Sequence, residues 1–120
     1  MKSVRLIETS GKLGFSEADI PRPTPSDGEL LIRVCAAGVT PTEVIWYPTT
    51  HTENGEKRIN AIPAHEFSGE VAALGPAVSD LREGQAVYGM NDWFADGALA
   101  EYCITRPEWV APNLYISQEI

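Results

Sequence analysis

Residues 63–78 read Pro63-Ala64-His65-Glu66-Phe67-Ser68-Gly69-Glu70-Val71-Ala72-Ala73-Leu74-Gly75-Pro76-Ala77-Val78: a histidine beside a carboxylate, a strand-like run, and a Gly-Pro turn. On a strand successive side chains alternate faces. His65, Phe67, Gly69, Val71 and Ala73 therefore share one side, and Glu66, Ser68, Glu70, Ala72 and Leu74 the other. The histidine falls on the apolar face and the first carboxylate on the wetter one. A lone histidine on an apolar face is more often a hydrogen-bonded core residue than a ligand. Imidazole titrates near neutrality and carboxylate oxygens bind cations, so the pair is also competent for metal binding or proton transfer. For both to serve one site, the strand must bend or bulge at its start, and Pro63 offers the place.

Outward from this stretch the chain reads as short strands separated by turn signals, a mostly β domain of barrel or sandwich type. Residues 29–39 form the clearest strand, with Leu30, Ile32, Val34 and Ala36 on one face and Leu31, Arg33, Cys35 and Ala37 on the other. Cys35 is therefore expected to be a packed strand residue. Further strands are expected at residues 4–8, near Phe15, at 86–88, at 99–105 and at 109–111, with turns at 11–14, at Asn54-Gly55 and, as a hairpin, at Asp96-Gly97. Pro21, Pro23 and Pro25 mark an extended surface connection. Thr40 followed by Pro41 and Glu43 predicts a helix start, with Thr40 as N-cap and a short helix through Tyr47 that ends before Pro48. His51, in a polar loop, is expected to be solvated. Residues 117–120 look like a further helix start.

A chain of 120 residues is expected to form one domain, and a formal net charge of −8 argues against unassisted binding to nucleic acid or to anionic membrane. No apolar run has the length of a signal-peptide core or a membrane span, so a cytoplasmic location is expected. Cys35 and Cys103 stand far apart without CxxC spacing and read as reduced thiols.

Together these motifs resemble the N-terminal, GroES-like domain of the medium-chain dehydrogenase/reductase family, which includes zinc alcohol dehydrogenases and zinc-free quinone oxidoreductases. Zinc enzymes of that family carry a Gly-His-Glu run with fixed glycine and small-aliphatic spacing behind it. Ala64-His65-Glu66, Gly69, Gly75 and Val78 fit that pattern except at the leading glycine. The segments 33–39, 83–88 and 97–102 follow in the family's order. The resemblance implies one GroES-like domain over residues 1–120, mainly β, a partly open barrel with one or two short helices.

The resemblance also implies a site. Where zinc alcohol dehydrogenases place a cysteine ligand, a relay hydroxyl and an acidic residue, this chain has Thr40, Thr42 and Glu43. A neutral hydroxyl is a poor zinc ligand beside a thiolate, and the family's structural-zinc cysteine cluster is missing. The zinc-independent branch is therefore expected; if zinc does bind, His65 and Glu66 are its candidate ligands. In that branch hydride passes from NADPH or NADH to a quinone, enone, aldehyde or other carbonyl. Thr40, Thr42 and His65 are then the candidate cleft groups, with Glu66 behind them.

A dinucleotide site normally needs a strand, a GxGxxG turn and a helix, and this sequence contains no GxGxxG. The Rossmann domain is expected to be absent from the chain, so that it is a half enzyme, inactive alone, binding neither NADPH nor NADH without a separate nucleotide-binding domain. The alternatives are a stand-alone module binding a metal, a small molecule or a partner protein, and a co-chaperonin-like ring subunit. A cleft wall lacking its partner domain would expose apolar surface able to drive homo-oligomer formation.

Overall fold

The computed structural model describes residues 1–113, so the helix start expected at 117–120 lies outside the described residues. Seven strands dominate: β1 (Lys2–Thr9), β2 (Lys12–Asp19), β3 (Leu30–Gly38), β4 (Glu66–Leu74), β5 (Ala86–Met90), β6 (Tyr102–Thr105) and β7 (Val110–Pro112). β1 and β2 form a hairpin, while the others build an antiparallel sheet in the order β6-β3-β4-β5-β7. The sheets do not close into a barrel, in keeping with the mainly β, partly open architecture expected. Among the described residues helical structure is limited to 3-10 turns at Glu43–Ile45 and Pro107–Trp109 and one helical turn, α1 (Tyr47–Thr50).

The core follows from the two-residue period. In β4, Phe67, Gly69 and Val71 are buried while Glu66 is exposed and Ser68 and Glu70 are half-buried. Leu30 and Ile32 of β3, with Val87 of β5 and Cys103 of β6, close around Phe67 and Val71. Each such aliphatic side chain contributes about 1.5–3 kcal/mol when withdrawn from water. Gly69 has to lack a side chain, because a Cβ there would overlap the Arg33 carbonyl on β3.

Several local expectations are corrected. The first turn is the pair Ser10-Gly11, both at positive φ (51° and 79°). That is the geometry of a two-residue hairpin loop, so Lys12, Leu13 and Gly14 already belong to β2. Cys35 is exposed rather than packed. A register shift between Val34 and Ala36 makes it the extra residue of a bulge and breaks the alternation of faces.

The helix expected from Thr40 to Tyr47 is interrupted at Trp46, whose backbone is extended (φ −61°, ψ 146°). Pro48 lies inside the first turn of α1, where its missing N–H costs nothing. His51 is half-buried, not solvated: its ring stacks on Tyr47 at 4.6 Å and its Nδ1 lies 2.8 Å from the Thr50 hydroxyl.

Asp96-Gly97 is not a hairpin turn, since β5 pairs with β4 and β7 while β6 pairs with β3. Asp96 instead accepts the Ile62 N–H (3.1 Å) and pairs with Arg58 (3.0 Å). Gly97 donates to the Ile62 carbonyl at 2.7 Å. The strand expected from Leu99 starts only at Tyr102, because Ala98 and Leu99 donate to Ala64 and Pro63 instead (2.5 and 3.1 Å). This cross-connection pins residues 62–64, the approach to His65.

Candidate functional site: a buried histidine behind an aromatic groove

Pro63 and Ala64 set up the site. Ala64 has φ +77°, a left-handed conformation that is costly for any residue with a Cβ, and it turns the chain just before β4. A Cβ on Gly97 would overlap the carbonyl oxygens of Pro63 and Ala64, so glycine is required there for close approach. The turn leaves His65 buried, 4% exposed, and Glu66 exposed on the other side.

His65 is saturated with partners. Its Nδ1 lies 2.9 Å from Oε2 of Glu43, itself 4% exposed, and its Nε2 lies 3.0 Å from the Ala95 carbonyl. The Ala64 N–H donates to the same Glu43 oxygen at 2.5 Å. A main-chain carbonyl can only accept, so Nε2 carries a proton. At Nδ1 the ring and the Glu43 carboxyl are joined by one buried hydrogen bond. Glu43 is itself held by its main chain. Its N–H reaches the Thr40 hydroxyl at 3.3 Å and its carbonyl accepts the Thr49 hydroxyl at 2.7 Å, but the residue at the cap of the 3-10 turn is Thr42, not the Thr40 expected, because the helical turn starts only at Glu43.

The four residues singled out in the sequence do not converge. Thr40 and Thr42 place their hydroxyls 3.3 Å apart on an exposed turn. His65 faces inward to Glu43, and Glu66 faces outward. The carboxylate that meets His65 is Glu43's, not that of its neighbour Glu66. Glu66 lies over Gly38, where a side chain at that glycine would otherwise be.

Glu66 borders a groove of about 1100 Å³ on the outer side of β4, β5 and β7, walled by Tyr88, Met90, Trp93, Phe94 and Trp109. Trp93 packs against Trp46 with ring centroids 5.7 Å apart, so all three tryptophans stand at or beside the groove. Sequence reading missed this wall, because its aromatics come from separate segments with no common spacing. Behind it Cys103 is buried against Asn91, and burial pushes its thiol up to about 12, which leaves it inert at neutral pH.

Zinc requires three or four side-chain ligands in tetrahedral reach. Among the described residues no group of three or more His, Cys, Asp or Glu side chains is so arranged. Both nitrogens of His65 are engaged, Thr40 offers a neutral hydroxyl, and Glu66 lies on the opposite face, so these residues do not fit the metal. Among the described residues the groove lining carries Glu66, Asp92 and Glu108 but no lysine or arginine, which does not suit the phosphates of a dinucleotide.

Comparison with known proteins agrees with this fold. Residues 26–115 match the family model of the alcohol dehydrogenase GroES-like domain. The quinone oxidoreductase of Sus scrofa is 28% identical over 111 residues, covering 92% of this chain and 32% of that protein. The L-threonine 3-dehydrogenase of Thermococcus kodakarensis is 35% identical over 71 residues, covering 59% of this chain and 20% of its own length. Among solved structures, a mycobacterial protein complexed with NADPH superposes with a TM-score of 0.72 at 28% identity, covering 94% of this chain and 34% of that one. This chain thus spans about a third or less of the length of these relatives. With the family model matched over most of its length, the chain belongs to the medium-chain dehydrogenase/reductase family and carries its alcohol dehydrogenase GroES-like domain.

Proposed function

We propose that residues 1–120 form the substrate-side domain of a zinc-independent, NAD(P)H-dependent oxidoreductase acting on a quinone, enone, aldehyde or alcohol. The carrying observation is the aromatic groove beside Glu66. Flat apolar walls suit a planar conjugated substrate, and a few polar groups suffice to orient it. The likeness to quinone oxidoreductases supports the same class.

In this reading NADPH or NADH sits on a nucleotide-binding domain and supplies hydride, while this domain binds and orients the acceptor. The Trp93, Tyr88 and Trp109 rings hold the substrate and exclude water. Thr40 and Thr42, exposed and within 3.3 Å of each other, are the hydroxyls available to pass a proton to a reduced oxygen. His65, enclosed by Glu43 and Ala95, acts from behind the wall rather than on the substrate. Zinc independence rests on those two occupied nitrogens.

The test combines three measurements on the chain. Titration with 1,4-naphthoquinone should quench tryptophan fluorescence saturably, NADPH should not be consumed with that quinone present, and metal analysis should find no stoichiometric zinc. NADPH turnover by these 120 residues alone would sink the division of labour proposed. Stoichiometric zinc that disappears in His65→Ala would overturn the zinc-independent assignment. Quenching that persists while no nucleotide-binding domain restores reduction would favour the second reading, a binding module without redox activity.

A further inference from the structure

The groove wall is carried by a short turn that follows β5 and runs into the Asp96-Gly97 cross-connection. Residues 92–95 deliver Trp93 and Phe94 to the groove. Inside the turn, Ala95 donates to the Asp92 carbonyl at 3.0 Å and Phe94 to the Asp92 carboxylate at 2.9 Å. These bonds shape the turn but do not fix where it sits. Among the described residues one hydrogen bond fastens it from outside, from His65 Nε2 to the Ala95 carbonyl at 3.0 Å. The other outside contacts are the tilted Trp46 ring against Trp93 and, at the following residues, the ties of Asp96 to Arg58 and Ile62 and of Gly97 to Ile62, so His65 is the one polar tie within the turn itself.

His65 is well suited to hold that turn. It is buried, its other nitrogen is anchored on Glu43, and Glu43 is anchored on Ala64. A side chain fixed at both ends transmits position, whereas one fixed at a single end can swing. We infer that His65 is a positioning residue for the groove: its Nε2–Ala95 bond sets the place of Trp93 and Phe94 against a bound ligand. The nitrogen that would otherwise be free for a metal thus serves as a strut. The inference rests on the reading of the groove as the substrate wall.

Two substitutions separate the two bonds, because a shorter amide reaches the place of Nδ1 and a longer one that of Nε2. His65→Asn keeps the bond toward Glu43 and loses the one toward Ala95; His65→Gln does the reverse. Both should lower thermal stability. Only His65→Asn should lose the near-ultraviolet circular dichroism of the Trp46–Trp93 pair and weaken 1,4-naphthoquinone binding about tenfold or more, a change of about 1.4 kcal/mol. Equal behaviour of the two variants in dichroism, whether both keep or both lose the signal, overturns the inference. The expected dichroism pattern without quenching in the unsubstituted chain leaves the positioning role standing and sinks the ligand reading. If neither variant folds, nitrogen-15 imidazole spectra of the unsubstituted protein decide. A slowly exchanging Nε2–H is expected, and a rapidly exchanging one rejects the strut.

Discussion

Glu43 and His65 form a buried pair 2.9 Å apart, joining the 3-10 turn after β3 to the start of β4. Neither side chain has access to water in exchange for the contact, so the two depend on each other. Removing one partner of such a buried hydrogen-bonded pair typically costs about 1–3 kcal/mol, and more where the group left behind is charged, because it is left buried and unsatisfied. Glu43→Ala should therefore lower the urea midpoint sharply. The exposed pair of Lys57 with Glu8, at a shorter 2.7 Å, provides the contrast. Lys57→Ala should change stability by no more than about 1 kcal/mol. Similar losses from the two would show that burial is not what gives the inner pair its weight.

Gly97 should tolerate no side chain. Gly97→Ala pushes a methyl group into the main chain of Pro63 and Ala64, and neither carbonyl can rotate away without giving up its bond to Leu99 or Ala98. Overpacking of this kind costs about 1–3 kcal/mol. The outcome to look for is a lower denaturation midpoint together with altered near-ultraviolet dichroism, since the strain lies next to His65.

Ala64→Gly is a closer contest. Relieving the left-handed conformation should gain about 1–2 kcal/mol. Losing a fully buried methyl group costs about 0.8 kcal/mol, and the freer unfolded chain a further 0.5–1 kcal/mol. The sum predicts stability within about 1 kcal/mol of the unsubstituted chain by urea titration. A loss beyond about 2 kcal/mol would mean that the Ala64 methyl packs far more productively than area alone suggests.

The two thiols should react very differently. Cys35, exposed at the bulge, should be modified quickly by a small thiol reagent, and buried Cys103 only upon unfolding. The Cys103 thiol titrates at about 12 in the folded chain against an ordinary 9.0. Its folded value is raised, so the stability linked to it is fully present below about pH 9. That stability is lost as pH climbs toward 12, because the unfolded chain releases the proton first. Cys103→Ser should flatten this alkaline loss of stability, and an unchanged slope would assign it to other groups.

What was legible in the sequence was whatever alternation and local turn chemistry encode. The faces of β4, the strand character of β3 and the burial of His65 all follow from a two-residue period. The Cys35 misreading shows the limit of that rule: one bulged residue shifts the phase, and nothing in the composition of residues 30–38 marks it. Asp96-Gly97 failed for a different reason. A dipeptide suited to a tight turn is equally suited to close main-chain approach, and only the tertiary partner, here Pro63, decides between them. The His65 partners were half legible. Glu43 stood at the family's acidic position, but the Ala95 carbonyl is main chain, and main-chain acceptors leave no mark on side-chain identity. The groove aromatics were invisible as a group because β5, the 92–95 turn and Trp109 meet only after folding.

The narrow margins of the larger sheet carry one more consequence. Its outermost strands are β6, four residues long, and β7, three residues long and ending at Pro112. An edge this brief offers few free N–H and C=O groups to an incoming strand, and proline contributes no N–H at all. Growth of the sheet from copy to copy is thereby discouraged at both borders. If two copies of this domain meet at the larger sheet, the contact is expected to form through side chains on its faces rather than by extending the sheet at β6 or β7.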